Sequence, residues 1–136
     1  MASARDERCG AVRDWMTRAP AMVEPDCTID AALARMQRAE IRHLLVLDTD
    51  RLVGIVSNRD WRRIPTDAGG GSWGTQPVRA IMTEDPVTIA PETPATVAAR
   101  VLLDRKIGCL PVRDGEFIVG VFTTSDALEA LLSALE

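Results

Sequence analysis

Gly54-Ile55-Val56-Ser57-Asn58-Arg59-Asp60 recurs 66 residues later as Gly120-Val121-Phe122-Thr123-Thr124-Ser125-Asp126. In each copy a glycine and two apolar residues run into a hydroxyl residue, Ser57 or Thr123, and an aspartate, Asp60 or Asp126, stands three positions on. A strand that enters a helix there would hold hydroxyl and carboxylate together at the boundary of the two elements. Two such junctions at one spacing predict an internal repeat, and most of the chain obeys the same interval.

Upstream of the first junction, Leu44 to Leu47 and Leu52 to Val56 are apolar runs separated by the polar turn Asp48-Thr49-Asp50-Arg51, which predicts a hairpin. Its strands lack clean alternation, so both faces of the sheet should be covered. The second copy reads Leu110-Pro111-Val112, the turn Asp114-Gly115, then Phe117 to Thr123. A helix is predicted ahead of each hairpin. Ile29, Ala32, Leu33 and Met36 share one face, with Thr28 or Asp26 as N-cap; Val97, Ala98, Val101 and Leu102 share the other, with Thr93 as N-cap and Pro94 at the first helical position. Val23 lies in a short extended segment.

Val12, Trp15 and Met16 have the spacing of a short first helix, ended by Thr17-Arg18-Ala19-Pro20, and Val78-Arg79-Ala80-Ile81-Met82-Thr83 repeats that lead-in. After the first junction, Asp60 to Ile64 begins a helix that Pro65 cuts short. After the second, a helix from Ser125 to about Leu135 carries Leu128, Leu131, Leu132 and Leu135 as an apolar stripe. Pro65 to Pro77, with Gly69-Gly70-Gly71-Ser72-Trp73-Gly74, reads as a linker. Trp73 within it either packs back onto a repeat or covers a ligand or a partner.

Composition bounds the function. Of 136 residues 46% are hydrophobic, but only two are Phe and three Trp, so aliphatic side chains must build the core. A unit of about 60 residues is marginal alone, which predicts two repeats packed together. The net charge of −4 counts against bulk attraction to nucleic acid or to an anionic membrane. Cys9, Cys27 and Cys109 lack metal-ligand spacing, so reduced thiols are expected rather than a disulfide framework or a zinc site. No apolar run approaches the ~20 residues of a membrane span and the N-terminus has no signal-peptide core, so a soluble, cytoplasmic protein is expected. A nucleophile and base at recognisable spacing and a GxxxxGK phosphate loop are both missing, which predicts a protein that is not an enzyme and needs no cofactor or metal.

The paired units resemble the cystathionine-β-synthase (CBS) domain, a module that occurs in tandem. The resemblance rests on Met16-Thr17 and Met82-Thr83, on Ile41-Arg42-His43-Leu44-Leu45-Val46 and Ile107-Gly108-Cys109-Leu110-Pro111-Val112, and on the two glycine-to-aspartate stretches. It assigns repeat 1 to residues 10–64, a Gly-rich linker to 65–76 and repeat 2 to 77–133. It implies an α/β (α+β) fold of two β-α-β-β-α repeats about a pseudo-two-fold axis, with small mixed sheets covered by helices. It also implies a stand-alone regulatory sensor that binds adenosine-containing ligands, AMP, ADP, ATP or S-adenosylmethionine, in clefts between the repeats. The alternative is an interaction or dimerisation module whose clefts are vestigial.

Carried onto this chain, the family pattern gives Asp60 and Asp126 to ribose hydroxyls and Ser57 and Thr123 to ribose or phosphate. Leu44-Leu45 and Leu110-Pro111 flank the bases, and His43 and Cys109 stand beside them. A carboxylate accepting two hydrogen bonds from a cis-diol is sound chemistry on its own. The competing reading makes these residues ordinary helix caps.

The copies differ in charge. Ile41 to Arg63 holds five arginines against three aspartates, whereas Ile107 to Glu129 holds Arg113 against Asp114, Glu116, Asp126 and Glu129. A phosphate should prefer the first copy, with Arg59 and then Arg42 as partners. Those arginines can equally serve only to solvate the surface. Ser125 stands at the position of Arg59, and Leu45 at that of Pro111. His43, the only histidine, is either structural or cleft-lining. A homodimer is expected, with Val12, Trp15, Leu128, Leu131 and Leu132 supplying apolar surface.

Overall fold

The structure, a computed structural model, describes residues 8–62, 64 and 72–136. In chain order its first elements are α1 (Val12–Trp15), β1 (Thr17–Arg18), β2 (Met22–Val23), α2 (Ile29–Ala39), β3 (His43–Asp48), β4 (Arg51–Ser57) and α3 (Asn58–Trp61). After 3-10 turns at Ser72–Thr75 and Val78–Ala80 come β5 (Thr83–Glu84), α4 (Ala95–Arg105), β6 (Cys109–Asp114), β7 (Phe117–Thr123) and α5 (Thr124–Leu135). Pro65 and Gly69 to Gly71, the breaker and the glycine run of the linker, lie outside the described residues. The fold is the mixed α+β one expected, with small sheets and covering helices.

Two compact units contain these elements, Ala21–Pro86 and Met1–Pro20 with Val87–Glu136. The first has a four-stranded sheet in the order β2-β3-β4-β5, parallel at β2-β3 and antiparallel elsewhere. Ala32, Met36, Leu44, Val46, Val56 and Val78 form its core. The other unit has the antiparallel sheet β1-β7-β6, and Val12, Ala98, Leu102, Leu110, Val112, Phe122 and Ala130 pack within its core. The strands of both hairpins are buried in runs, as Leu44 to Val46 and Cys109 to Val112 show, which is why their sequences do not alternate.

The packing units are offset from the sequence repeats. β1, the lead-in of the first repeat, pairs with β7 of the second hairpin, and β5, the lead-in of the second, pairs with β4 of the first. This pairing explains the glycines that open the repeated stretch. A Cβ on Gly120 would lie 2.6 Å from the Thr17 carbonyl oxygen and 3.1 Å from Met16 Sδ, and one on Gly54 would lie 2.5 Å from Met82 Sδ and 3.0 Å from the Thr83 oxygen. The Met-Thr lead-ins and the glycines are thus two sides of one close contact.

Local chemistry sets the element ends. Thr28 caps α2, its hydroxyl accepting from the Ala31 N–H at 3.2 Å. Both long helices of the repeat end on a non-glycine residue in the left-handed region, Glu40 at φ 54° and Lys106 at φ 55°. The following isoleucine then closes the helix, Ile41 N–H donating to the Met36 carbonyl and Ile107 N–H to that of Leu102. In the first hairpin Thr49 and Asp50 both have positive φ, at 48° and 67°, the signature of a primed two-residue turn made here without glycine.

Several sequence expectations shift. The N-cap of α4 is Pro94, not Thr93, because the Pro94 carbonyl accepts from Val97 and Ala98 while that of Thr93 accepts from Val12. The buried face of α4 is Ala95, Ala98 and Leu102, and Val97 is exposed. The last helices start at Asn58 and Thr124, directly after the hydroxyl residue. Trp73 is half-buried in a 3-10 turn where Gly74 lies tight against the Asp30 carboxylate of α2. Of the residues expected to supply apolar contact surface, Val12 is instead fully buried in a core, whereas the leucine stripe of α5 is open: Leu128, Leu131, Leu132 and Leu135 are 50–75% exposed, and Asp126 and Ala130 are the buried residues of the helix.

Candidate functional site

Each strand-to-helix junction is a corner closed by a carboxylate. At the first, the Ser57 N–H donates to Asp60 Oδ2 at 2.7 Å and the Ser57 hydroxyl to the same oxygen at 3.2 Å. At the second, the Thr123 N–H and hydroxyl donate to Asp126 Oδ2 at 2.8 and 3.1 Å, and Thr123 Oγ1 accepts from the Asp126 N–H at 3.4 Å. Hydroxyl and carboxylate satisfy each other's helix-end groups, the reciprocal arrangement of a capping box. The capping reading of these residues is therefore physically present, and one oxygen of each carboxylate is held by it. Asp60 is 1% exposed and Asp126 8%, the two buried polar side chains of the described residues.

Each corner is tied to the head of its hairpin. His43 lies opposite Ser57 in the β3–β4 ladder, and Cys109 opposite Thr123 in the β6–β7 ladder. The first amide of the helix reaches back across the same place, Asn58 N–H to the Arg42 carbonyl and Thr124 N–H to that of Gly108, both at 3.2 Å. Sequence reading missed this bond, since any residue type supplies an amide and a carbonyl. Its only signal was that both pairs keep the 66-residue interval.

The corners differ electrostatically. Burial holds the His43 imidazole below its ordinary pKa, with Asp60 opposing that effect and Arg42 and Arg59 adding to it. Burial pushes the Cys109 thiol up to about 12, with Asp126 adding to the rise. That thiol is inert at neutral pH. Arg42 and Arg59 are exposed beside the first corner, and Ser125 is exposed beside the second.

The residues expected to flank a base lie in the packed interior. Leu44, Leu45, Leu110 and Pro111 are all fully buried, and Leu44 and Leu110 belong to the hydrophobic cores. Leu44 and Leu110 are committed to packing there, whereas Leu45 and Pro111 belong to neither core. An open groove of about 640 Å³ lies elsewhere in the Ala21–Pro86 unit, lined by residues such as Met22, Arg35, Leu47 and Asp50, and includes no residue of the corner. Among the described residues no group of three or more His, Cys, Asp or Glu is placed to hold a metal ion, and no helix is long and apolar enough to cross a membrane.

Comparison with known proteins identifies the family of the chain. The family profile of the CBS domain matches residues 12–66 and 78–133. A CBS domain-containing protein of Dictyostelium discoideum is 32% identical over 136 residues, covering 92% of this chain and 93% of that protein. One of Bacillus subtilis is 28% identical over 116 residues, covering 85% and 81% respectively. Among solved structures, CBSX2 in complex with AMP superposes with a TM-score of 0.79 at 26% identity, covering 93% of this chain and 99% of that one.

Proposed function

Because the chain belongs to the CBS-domain family and carries two copies of the domain, we propose that it is a non-catalytic regulatory module that binds an adenosine-containing ligand at its two strand-to-helix corners. The observation that carries this reading is the repeated corner itself, a buried aspartate held against a hydroxyl residue at both Ser57–Asp60 and Thr123–Asp126. A similar protein, CBSX2, is known in complex with AMP.

In this reading Asp60 and Asp126 receive the ribose cis-diol, whose two hydroxyls donate to a carboxylate. Ser57 and Thr123 line the ribose or phosphate, and the backbone of Leu44-Leu45 and Leu110-Pro111 faces the base. His43 and Cys109 stand beside it. Arg59 and Arg42 would pair with phosphate at the first corner, whereas Ser125 offers no cation at the second, which therefore suits a less charged adenosine derivative. AMP, ADP, ATP and S-adenosylmethionine are the ligands to try, acting as regulators and not as cofactors of a reaction.

Calorimetric titration with those four ligands tests the reading, and at least one should release heat. Asp60→Asn and Asp126→Asn keep an oxygen for the corner's N–H but remove the anionic acceptor. Each should weaken binding at its own corner about ten- to a hundredfold, the worth of a charge-assisted hydrogen bond. No heat from any ligand at millimolar concentration would leave the interaction module with vestigial clefts as the standing account.

The outward leucines support assembly with a second copy. A helix apolar on its solvent side is one that something covers. Val97 and Leu103 of α4 are exposed as well, and α4 exposes Arg100 and Arg105 while α5 exposes Glu129, so two copies can pair opposite charges around the leucines. Sedimentation at micromolar concentration should show a dimer, and Leu131→Glu with Leu132→Glu should give a monomer of unchanged helix content. A wild-type monomer would refute the dimer.

A further inference from the structure

Resting on the reading of the first corner as a phosphate-bearing nucleoside site, we propose that His43 couples ligand binding there to uptake of one proton, so that this corner reads pH together with ligand and the Thr123–Asp126 corner does not. The geometry is specific to one copy. His43 opens β3, stands opposite Ser57 in the ladder, and so lies beside the hydroxyl and carboxylate that close the corner. The matching place in the other unit is taken by Cys109, opposite Thr123.

The charged groups that act on His43 come from the residue just before its strand and from α3: Arg42, and Asp60 with Arg59. The hydroxyl residue Ser57 stands opposite it in the ladder, and the other elements packed on β3 bring apolar residues. β2 lies along the other edge of β3 through Met22 and Val23, and α2 packs Ala32 and Met36 into the core beneath the sheet. Two arginines and burial against one aspartate leave the imidazole neutral at pH 7 in the free protein. A phosphate arriving beside Arg59 and Arg42 adds negative charge to that balance, which favours the imidazolium. One proton then moves from solvent to the imidazole, and no covalent bond forms or breaks.

The sign follows from linkage. At His43 the complex holds more protons than the free protein, so the contribution of this group to affinity rises as pH falls from its liganded toward its free titration point, by at most about tenfold per pH unit for one proton. This is set against the ligand phosphate's own titration at about pH 6, which adenosine lacks. The Cys109 thiol, pushed up to about 12, does not titrate in that range.

His43 is the only histidine of the chain, so its imidazole proton signals are assigned without ambiguity. The experiment follows their titration by NMR in the whole chain, free and saturated with AMP or with adenosine, and measures the heat of AMP binding in two buffers of different ionisation enthalpy. The expected result has three parts: a midpoint below the ordinary 6.5 in the free protein, a rise of that midpoint with AMP but not with adenosine, and a buffer-dependent heat that His43→Asn abolishes. Heat of AMP binding accompanied by an unmoved His43 midpoint overturns the proton coupling and leaves the ligand reading intact. An equal rise with adenosine overturns the role of the phosphate. No heat with AMP, ADP, ATP or S-adenosylmethionine overturns the ligand reading, and the coupling with it.

Discussion

Phe122→Ala lowers the stability of the chain by about 3–5 kcal/mol, a large part of the 5–15 kcal/mol that separates folded from unfolded domains. Phe122 is fully buried, and it packs in one core with Leu110 and Val112 of β6, Ala98 and Leu102 of α4, and Ala130 of α5. Its helix partners include the short side chains Ala98 and Ala130, which cannot fill the cavity that truncation leaves. Phe122 also immediately precedes Thr123, so the substitution should weaken ligand binding at the second corner more than at the first. Urea unfolding measures the effect, with Phe117→Ala as the control. At 74% exposure that substitution should cost no more than about 0.5 kcal/mol. Equal costs for the two variants would show that the aromatic core is misplaced.

Gly120→Ala is the second large effect, about 1–3 kcal/mol for a single added methyl. The atom it meets is the carbonyl oxygen of Thr17 at 2.6 Å, part of the β1 backbone, which cannot yield without breaking its pairing with β7. Gly54→Ala meets Met82 Sδ first, the far end of a flexible side chain, and then the Thr83 oxygen at 3.0 Å. The expected order of melting temperatures is therefore wild type, then Gly54→Ala, then Gly120→Ala. The reverse order would contradict the tighter β1 crossing.

Much of this was readable in advance because it is local. The Thr28 cap, the helix faces around Ala32 and Met36, and the hairpin turns follow from side-chain chemistry within a few residues. Where the reading slipped, a distant contact had intervened. Thr93 looked like the cap of α4, but its carbonyl is bonded to Val12, far away in the chain, and Pro94 takes the role. Val97 had the periodicity of a core residue, but α4 turns Ala95, Ala98 and Leu102 inward instead. Leu44 and Leu110 were readable as hairpin residues beside the site, but not as members of the two hydrophobic cores.

By itself the sequence determined the repeat, the two corners with their hydroxyl and aspartate, and the unequal charge around them, since periodicity and spacing encode contacts made within one or two turns of chain. Only the tertiary structure decided that β1 pairs with the hairpin of the second repeat and β5 with that of the first. Strands of two residues carry too little pattern to name a partner. The tertiary structure also decided that Val12 is buried in a core and no part of an outer surface, and that His43 and Cys109 stand opposite the corner hydroxyls. The orientation of an apolar helix and the register of a ladder depend on what packs from far away in the chain, and no local preference records it.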